Sequence, residues 1–292
     1  MHSKIITFVL FMFNEEARVE RAVRNFLPFG QVMVVDNYST DRTVEIARSL
    51  GASVLMHRNL GWVEDEHTAL IVKSAVNTPW LYWGFSDEIL DRETMDAMQV
   101  AIHSTKYSIV NIARKNYYYG EFCYEAYQNT QTRAFKKDAI DFAGNTIHSF
   151  GKPIVPESEI AYLDPSRYFV HHFISNTTKS YLGSLDRYTD IEAMHTMPMR
   201  PLPMLFRMTR GFLGHYFIKG GRKAGAAGLY LGMQTSLYIL LLAMKAYERV
   251  HELSTLSIEK RNNSIRDRLL VDLEYVDAPP ASEESRIDRS PT

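Results

Sequence analysis

The sequence predicts an α/β fold: an open, mostly parallel twisted sheet, followed by a C-terminal helical region. Three observations carry this. Phe8 to Glu16 (FVLFMFNEE) is an apolar run of strand length that breaks at a polar turn, and Val32 to Thr43 (VMVVDNYSTDRT) repeats the pattern. Each run leads into helical spacing, and successive strand–turn–helix units of this kind join parallel strands by right-handed crossovers. From about residue 176 strand-like runs stop and helical periodicity takes over.

The elements follow in order. Residues 5–11 read as a strand. Val19, Ala22, Val23 and Phe26 form the inner stripe of a first helix, with Asn14 as its expected N-cap and Pro28 and Gly30 as its stop. A second strand covers 31–36. Asp41 caps the next helix, whose inner side is Val44, Ile46, Ala47 and Leu50, and Gly51 ends it. Residues 53–56 are a third strand and 65–76 a helix. Trp80 to Trp83 is a strand running into Gly84-Phe85-Ser86-Asp87-Glu88, with a helix over 91–103. Residues 108–114, 117–122 and 130–136 read as three further strands. The expected organisation is an α/β domain over 1–175, a helical region over 176–255, and a helical extension with a disordered tail over 256–292, where Pro, Ser and charge accumulate from Asp277.

Composition narrows the function. A formal net charge of -1 excludes the global basic field that nucleic acid requires. The one cysteine, Cys123, excludes an internal disulfide and suits a reducing compartment. The chain enters a strand almost at once with no charged-then-apolar leader, so no signal peptide is expected. Open α/β sheets bind ligands at the carboxyl ends of their strands. Neither turn there carries a glycine-rich phosphate loop, so the polar groups suit the base and ribose of a nucleotide.

Asn14-Glu15-Glu16, and Val34-Val35-Asp36 followed by Ser39-Thr40-Asp41-Arg42-Thr43, resemble the paired motifs of family 2 glycosyltransferases, which have the GT-A fold. The resemblance implies a nucleotide-sugar-binding GT-A domain in which Asn14, Glu16 and Asp36 hold the nucleoside of a UDP-sugar, with Asp41 behind them. That family ends its next strand in Asp-Ala-Asp-Glu, where two aspartates hold a divalent cation against the donor diphosphate. Here the matching positions are Phe85, Ser86, Asp87 and Glu88. Asp87 is therefore the expected ligand of Mg2+ or Mn2+. Should the site work without metal, Arg114, Lys115 and Arg133 are the candidates to neutralise the diphosphate. Asp87-Glu88 could alternatively cap the following helix.

Ala113 to Glu121 resembles the family's Arg-x-Asn-aromatic-x-Gly segment, and Gln131 to Lys136 its Arg-Leu-Phe-Arg strand. The family carries an aspartate just before that arginine, and here Asn129 stands in its place. Inverting transfer needs a base within hydrogen-bond reach of the acceptor hydroxyl, so Glu121 or Glu125 is expected to substitute. Ile147-His148-Ser149 resembles the family's Val-His-Glu with the glutamate replaced. His148 is a candidate catalytic group or a packed side chain, and His172 reads as packing. A zinc site of His148, His171 and His172 is disfavoured, since no ligand pair sits at helical spacing.

Asn176 to Ala193, ending in Arg187-Tyr188-Thr189, and Pro201 to Tyr247 resemble the subfamily that builds lipopolysaccharide core and related surface glycans. The implied acceptor is a glycan or glycolipid, and the implied location is cytoplasmic, peripheral on the inner face of the cell membrane. Basic residues interleaved with aromatics over 200–223 suit an interfacial helix on anionic lipid. Ala224 to Met244 has no charged residue and is long enough to span a bilayer, but reads as a buried or interface-lying helix. The rivals are a non-catalytic nucleotide-sugar-binding member of the same fold and a nucleotidyl transferase. The second is disfavoured because Phe13 to Glu16 offers no glycine-rich, lysine-bearing loop.

Overall fold

The computed structural model describes residues 5–59, 65–122, 129–145, 150–174 and 177–274. Strand β1 (Ile6–Met12), helix α1 (Val19–Phe26), β2 (Gln31–Asp36), α2 (Thr43–Ser49), β3 (Ser53–Met56), α3 (Glu66–Ala75) and β4 (Trp80–Phe85) alternate as expected. They are followed by β5 (Glu88–Leu90), α4 (Arg92–His103), β6 (Ile109–Tyr118), β7 (Glu121–Phe122), β8 (Asn129–Lys136), β9 (Ile140–Asp141), β10 (Lys152–Pro153), β11 (Ile160–Tyr162) and β12 (Phe169–Phe173). The main sheet has the order β3-β2-β1-β4-β8-β6-β12-β5, with β7 and β11 also paired to β6. The run β3-β2-β1-β4 is wholly parallel; antiparallel β8 joins it to β6, on which β11 and β12 again lie parallel. The fold class is thus the one expected: an α/β domain with an open, mostly parallel sheet and a C-terminal helical region.

β1 is an unbroken apolar run because helices cover both its faces. Phe8 and Leu10 pack with Phe26 of α1 and Tyr82 of β4 on one side, and Val9 packs with Val35, Trp83 and Val72 on the other. The Phe8 and Phe26 rings lie 4.7 Å apart. Each such buried aromatic contributes about 1.5–3 kcal/mol. Gly30 is required where α1 returns to the sheet, since a Cβ there would sit 2.6 Å from the Ile6 carbonyl oxygen. Asp65 and Asp91 cap α3 and α4, each accepting a backbone N–H at 2.7 Å, from Thr68 and Thr94.

Three expectations are corrected. Asn14 does not cap α1: it sits at φ 54, and a turn closed on the Glu15 carbonyl delays the helix to Val19. Asp87-Glu88 does not cap α4, because Asp91 does. The strands expected at 108–114 and 117–122 are mostly one, β6, running to Tyr118. Tyr119 and Gly120, with φ of 54 and 80, then turn the chain back into β7. Two consecutive positive φ values are what a tight hairpin needs.

Helices α5 (Thr178–Ala193), α6 (Pro201–Leu213), α7 (Gly225–Val250) and α8 (Thr255–Glu274) complete the chain. Both α5 and α6 pack on α7. Lys245 on α7 bonds Asp186 and Asp190 on α5, each at 2.6 Å, and Tyr238 donates to Glu192 at 2.5 Å. Gly211 of α6 approaches Thr235 and Ile239 of α7, and the Ser236 hydroxyl donates to the Met208 carbonyl at 2.9 Å. α8 lies where the helical extension is expected, and the tail from Asp277, expected to be disordered, lies outside the described residues.

Candidate active site

Strand register brings the sequence motifs to one edge. Met12 of β1 lies opposite Asp36, Asp36 opposite Met56, and Phe11 opposite Phe85. The turns after β1, β2, β3 and β4 therefore leave the sheet side by side.

The first two turns are fastened to one another. The Thr40 N–H donates to Asn14 Oδ1 and the Asn14 N–H to Ser39 Oγ, both at 2.8 Å. The Glu15 N–H donates to Thr43 Oγ1 at 2.7 Å, and the Glu16 N–H to Asp41 Oδ2 at 3.0 Å. The Arg42 N–H donates to Glu16 Oε2 at 3.1 Å. Asp36 is fully buried, its carboxylate accepting from the Ser39 N–H at 2.7 Å and the Ser39 hydroxyl at 2.6 Å. Of the residues expected to meet a nucleoside, Asn14 and Glu16 are exposed and also hold the two turns in shape, whereas Asp36 is buried and has no surface to offer. Asp41 does serve α2 as expected, accepting from the Thr43 N–H at 3.0 Å.

Replacing Asp41 with alanine strips acceptors from Glu16 and Thr43 together. The expected cost is about 1–2 kcal/mol, the range for a lost helix cap, read by urea unfolding, with weaker nucleotide binding as the turns separate.

The fastened turns expose Tyr38, at φ 62, with the Arg58 guanidinium 4.7 Å above its ring. Asn37 donates to the Asn59 carbonyl at 2.8 Å and accepts from the Asn59 N–H at 2.9 Å, tying in the turn after β3. The aromatic inside a polar turn was the overlooked sequence signal for this flat platform.

The second focus is Asp87. β12 lies beside β6 with His172 opposite Asn116, and the Phe173 N–H donates to the Asp87 carbonyl at 2.8 Å. His172 Nε2 thereby comes 3.3 Å from Asp87 Oδ2, while Nδ1 lies 2.6 Å from Asn116 Oδ1. Each ring nitrogen thus lies against a side-chain oxygen. This is the satisfied, half-buried side chain expected of His172, and it sets an imidazole beside the Asp87 carboxylate. Burial pushes Asp87 up, but the hydrogen bond and charge of His172 outweigh it and hold the carboxyl below the usual range. The stability this pair contributes is present above the unfolded pKa and is lost as pH falls through the lower folded one.

Glu15, rather than Glu16, faces this centre. Arg18 Nε lies 2.5 Å from Glu15 Oε2. Burial raises the Glu15 pKa, with Arg18 and Ser86 opposing and the Asp87 charge adding.

Arg133 is not a phosphate ligand, contrary to expectation. It is buried, its Nη2 donating to Glu88 Oε1 and to Gln131 Oε1, both at 2.6 Å, and its Nη1 to Glu88 Oε2 at 3.0 Å and the Trp83 carbonyl at 3.1 Å. Glu88 is fully buried as well. Arg114 lies at the open side of this pair, 3.8 Å from Glu88, with its buried Nε unpartnered. Arg18, paired with Glu15, is the arginine whose charge acts most on Asp87. Among the described residues no group of three or more His, Cys, Asp or Glu could hold a metal ion. Asp87 supplies one carboxylate, the ligand type that suits Mg2+ or Mn2+ when diphosphate oxygens and water complete the shell, while the His172 imidazole is a ligand type foreign to Mg2+.

Glu125 and His148 lie outside the described residues, as does the side chain of Glu121, whose backbone pairs with Tyr118. A cavity of about 540 Å3 is lined by Tyr117, Tyr119, Phe173, Ile174, Thr177 and Thr178, with Tyr117 and Phe173 on the sheet face opposite to Asn116 and His172. The Tyr117 and Phe173 rings stack there at 4.6 Å.

The arrangement defines an open α/β sheet with a polar cleft at its carboxyl edge. No protein-family profile matches the chain. A protein of Rickettsia typhi (strain ATCC VR-144 / Wilmington) named an uncharacterized glycosyltransferase is 27% identical over 276 residues, 89% of each chain. One of Rickettsia prowazekii (strain Madrid E), named likewise, is 26% identical over 276 residues, again 89% of each. Among solved structures, glucosyl-3-phosphoglycerate synthase from Mycobacterium tuberculosis in complex with phosphoglyceric acid aligns at 16% identity and a TM-score of 0.43, over 65% of this chain and 78% of that one. That likeness is too slight to bear on the fold or the site.

Proposed function

We propose that this protein is a glycosyltransferase that takes a sugar from a nucleotide-sugar donor, a UDP-sugar, and passes it with inversion to a glycan or lipid-linked acceptor of the cell surface. The Asp87–His172 pair carries the reading: it sits at the carboxyl edge of β4, the edge at which the turns after β1, β2 and β3 also leave the sheet. The names of the two rickettsial relatives support the same class.

The platform stacks the base. Asp87, with His172 beside it, would hold Mg2+ or Mn2+, which would supply Lewis-acid neutralisation of charge on the departing diphosphate. Arg114 adds fixed positive charge. Tyr117, Tyr119 and Phe173 receive pyranose faces. The acceptor oxygen forms a bond to the anomeric carbon as the carbon–oxygen bond to the diphosphate breaks. The nucleoside diphosphate leaves with that electron pair, and the hydroxyl proton passes to Glu121 or Glu125.

Purified protein incubated with a panel of UDP-sugars and Mn2+ should release UDP in the presence of a glycan acceptor. A strong chelator should abolish release and Mn2+ should restore it; undiminished release under chelation would leave charge neutralisation to Arg114 and remove the metal from the scheme. A second reading is a non-catalytic binder of nucleotide sugars. Phe85, Asn129 and Ser149 favour it, since they stand where the resembled family has carboxylates. Donor binding with no release under any acceptor would select it.

A further inference from the structure

We infer that the outer face of α6 and the turn that follows it form a docking surface for a membrane rich in anionic lipid, along which the helical region lies without crossing. The inference concerns location and stands apart from the proposed reaction.

A helix at the surface of a soluble protein carries one apolar stripe, turned inward. α6 carries two. Its inner stripe, Met204, Met208, Gly211 and Phe212, is covered by α7, against which Gly211 and Phe212 pack. Its outer stripe is Leu202, Leu205, Phe206 and Leu213, at the helical spacing i, i+3, i+4, i+11, and nothing covers it: Leu202 is 79% and Phe206 67% exposed. Where that stripe ends, a π-helical turn over Gly214–Ile218 reverses the chain, with Phe217 exposed and Ile218 83% exposed. A patch of this kind marks an interaction surface.

Charge identifies the occupant. From Ala193 through Tyr247 the sequence holds no Asp or Glu, in a chain whose overall net charge is -1. Arg200, Arg210, Lys219, Arg222 and Lys223 are exposed around the patch, and none of them has a carboxylate partner among the described residues. Apolar side chains set within a one-sign basic collar match lipid tails beneath anionic headgroups. A second copy of the chain fits poorly, because a two-fold contact would press this collar against itself.

Residues 221–250 are, by length and composition, the one helix among the described residues able to cross a bilayer. Part of its surface packs against α5 and α6, and 22% of its most apolar stretch is buried. Lys245 and Tyr238 on it are hydrogen-bonded to Asp186, Asp190 and Glu192 of α5, polar contacts that a spanning helix would carry into hydrocarbon.

The test is co-sedimentation of the full-length purified protein with vesicles of phosphatidylcholine alone or with 30 mol % phosphatidylglycerol, a composition of about a third anionic lipid. Binding should appear with phosphatidylglycerol, fall at high salt, and be released by alkaline carbonate. The double variant F206S/I218S should bind at least about fivefold less, while V100S, at an exposed position on α4, should bind like the parent. Circular dichroism of each variant should match the parent, since all three side chains are surface ones. Absence of binding to phosphatidylglycerol vesicles, parent-like binding by F206S/I218S, resistance to carbonate, or a concentration-dependent dimer abolished by F206S/I218S in place of vesicle binding would each overturn the inference.

Discussion

Replacement of Asp87 by alanine is expected to lower UDP release by about 10²–10³-fold, the loss seen when one group stabilising transition-state charge is removed, with little change in thermal stability. The carboxylate and His172 Nε2 converge at 3.3 Å on one point at the carboxyl edge of β4. Among the neighbouring positions, 85 is phenylalanine, Glu88 is locked beneath the site by Arg133, and Glu15 is held by Arg18. The fold loses the pairing with His172 alone: the side chain caps no helix, and the strand contact of the residue, from the Phe173 N–H, uses its carbonyl. His172→Ala should cost less, about 10–100-fold, as for a group that orients and shares a ligand. Initial rates of UDP release, with circular dichroism of each variant, separate chemistry from folding. Parent-like rates for Asp87→Ala would move the diphosphate elsewhere.

Glu88→Ala should destabilise the protein by about 3–5 kcal/mol, the cost of breaking a buried ion pair from one side. The Arg133 guanidinium sits among Trp83, Gln131 and Tyr82 with no route to water, and two of its four hydrogen bonds go to Glu88. The charge of Glu88 holds Arg133 protonated against burial, which pulls the other way and is the larger single influence on it. Removing the carboxylate strands that charge, and Arg114 at 3.8 Å adds repulsion. Removing both members, as in E88M/R133L, should recover most of the loss, because well-packed apolar pairs replace buried ion pairs at little cost. Urea midpoints of the two single variants and the double variant close this cycle. A loss in the double variant equal to the sum of the two single losses would mean that the two side chains are not coupled.

The parallel half of the sheet was legible because strands buried on both faces read as continuous apolar runs, and helices covering them show the 3.6-residue stripe. Val19, Ala22, Val23 and Phe26 of α1 are all fully buried, as their spacing implies. β6 was misjudged for an informative reason. Its centre, Arg114-Lys115-Asn116, looks like a loop, yet Arg114 faces Glu88 and Asn116 holds His172. Polar residues interrupt that strand because it lines the site.

The paired motifs at Asn14 and Asp36 were recognisable, and the structure adds that their polar atoms fasten two turns to one another. A motif reports that residues belong together, and only geometry tells which atoms remain for a ligand. The place of His172 beside Asp87 was out of reach of local pattern, since it depends on pairing with Asn116 across 56 positions. Tyr38 and Arg58 were missed for the same reason: they stack across neighbouring strand ends.

The most direct measurement is the melting temperature of the parent protein and of Asp87→Ala with a UDP-sugar, each with and without Mn2+. A ligand that binds only the folded state at a hundred times its Kd adds about 2.7 kcal/mol of stability. A donor seated at the carboxyl edge should stabilise the parent, more so with Mn2+, and the Mn2+-dependent increment should vanish in Asp87→Ala while the base-stacking part persists. No stabilisation by any UDP-sugar, or a Mn2+ increment undiminished in Asp87→Ala, would contradict a nucleotide-sugar cleft centred on Asp87 and His172.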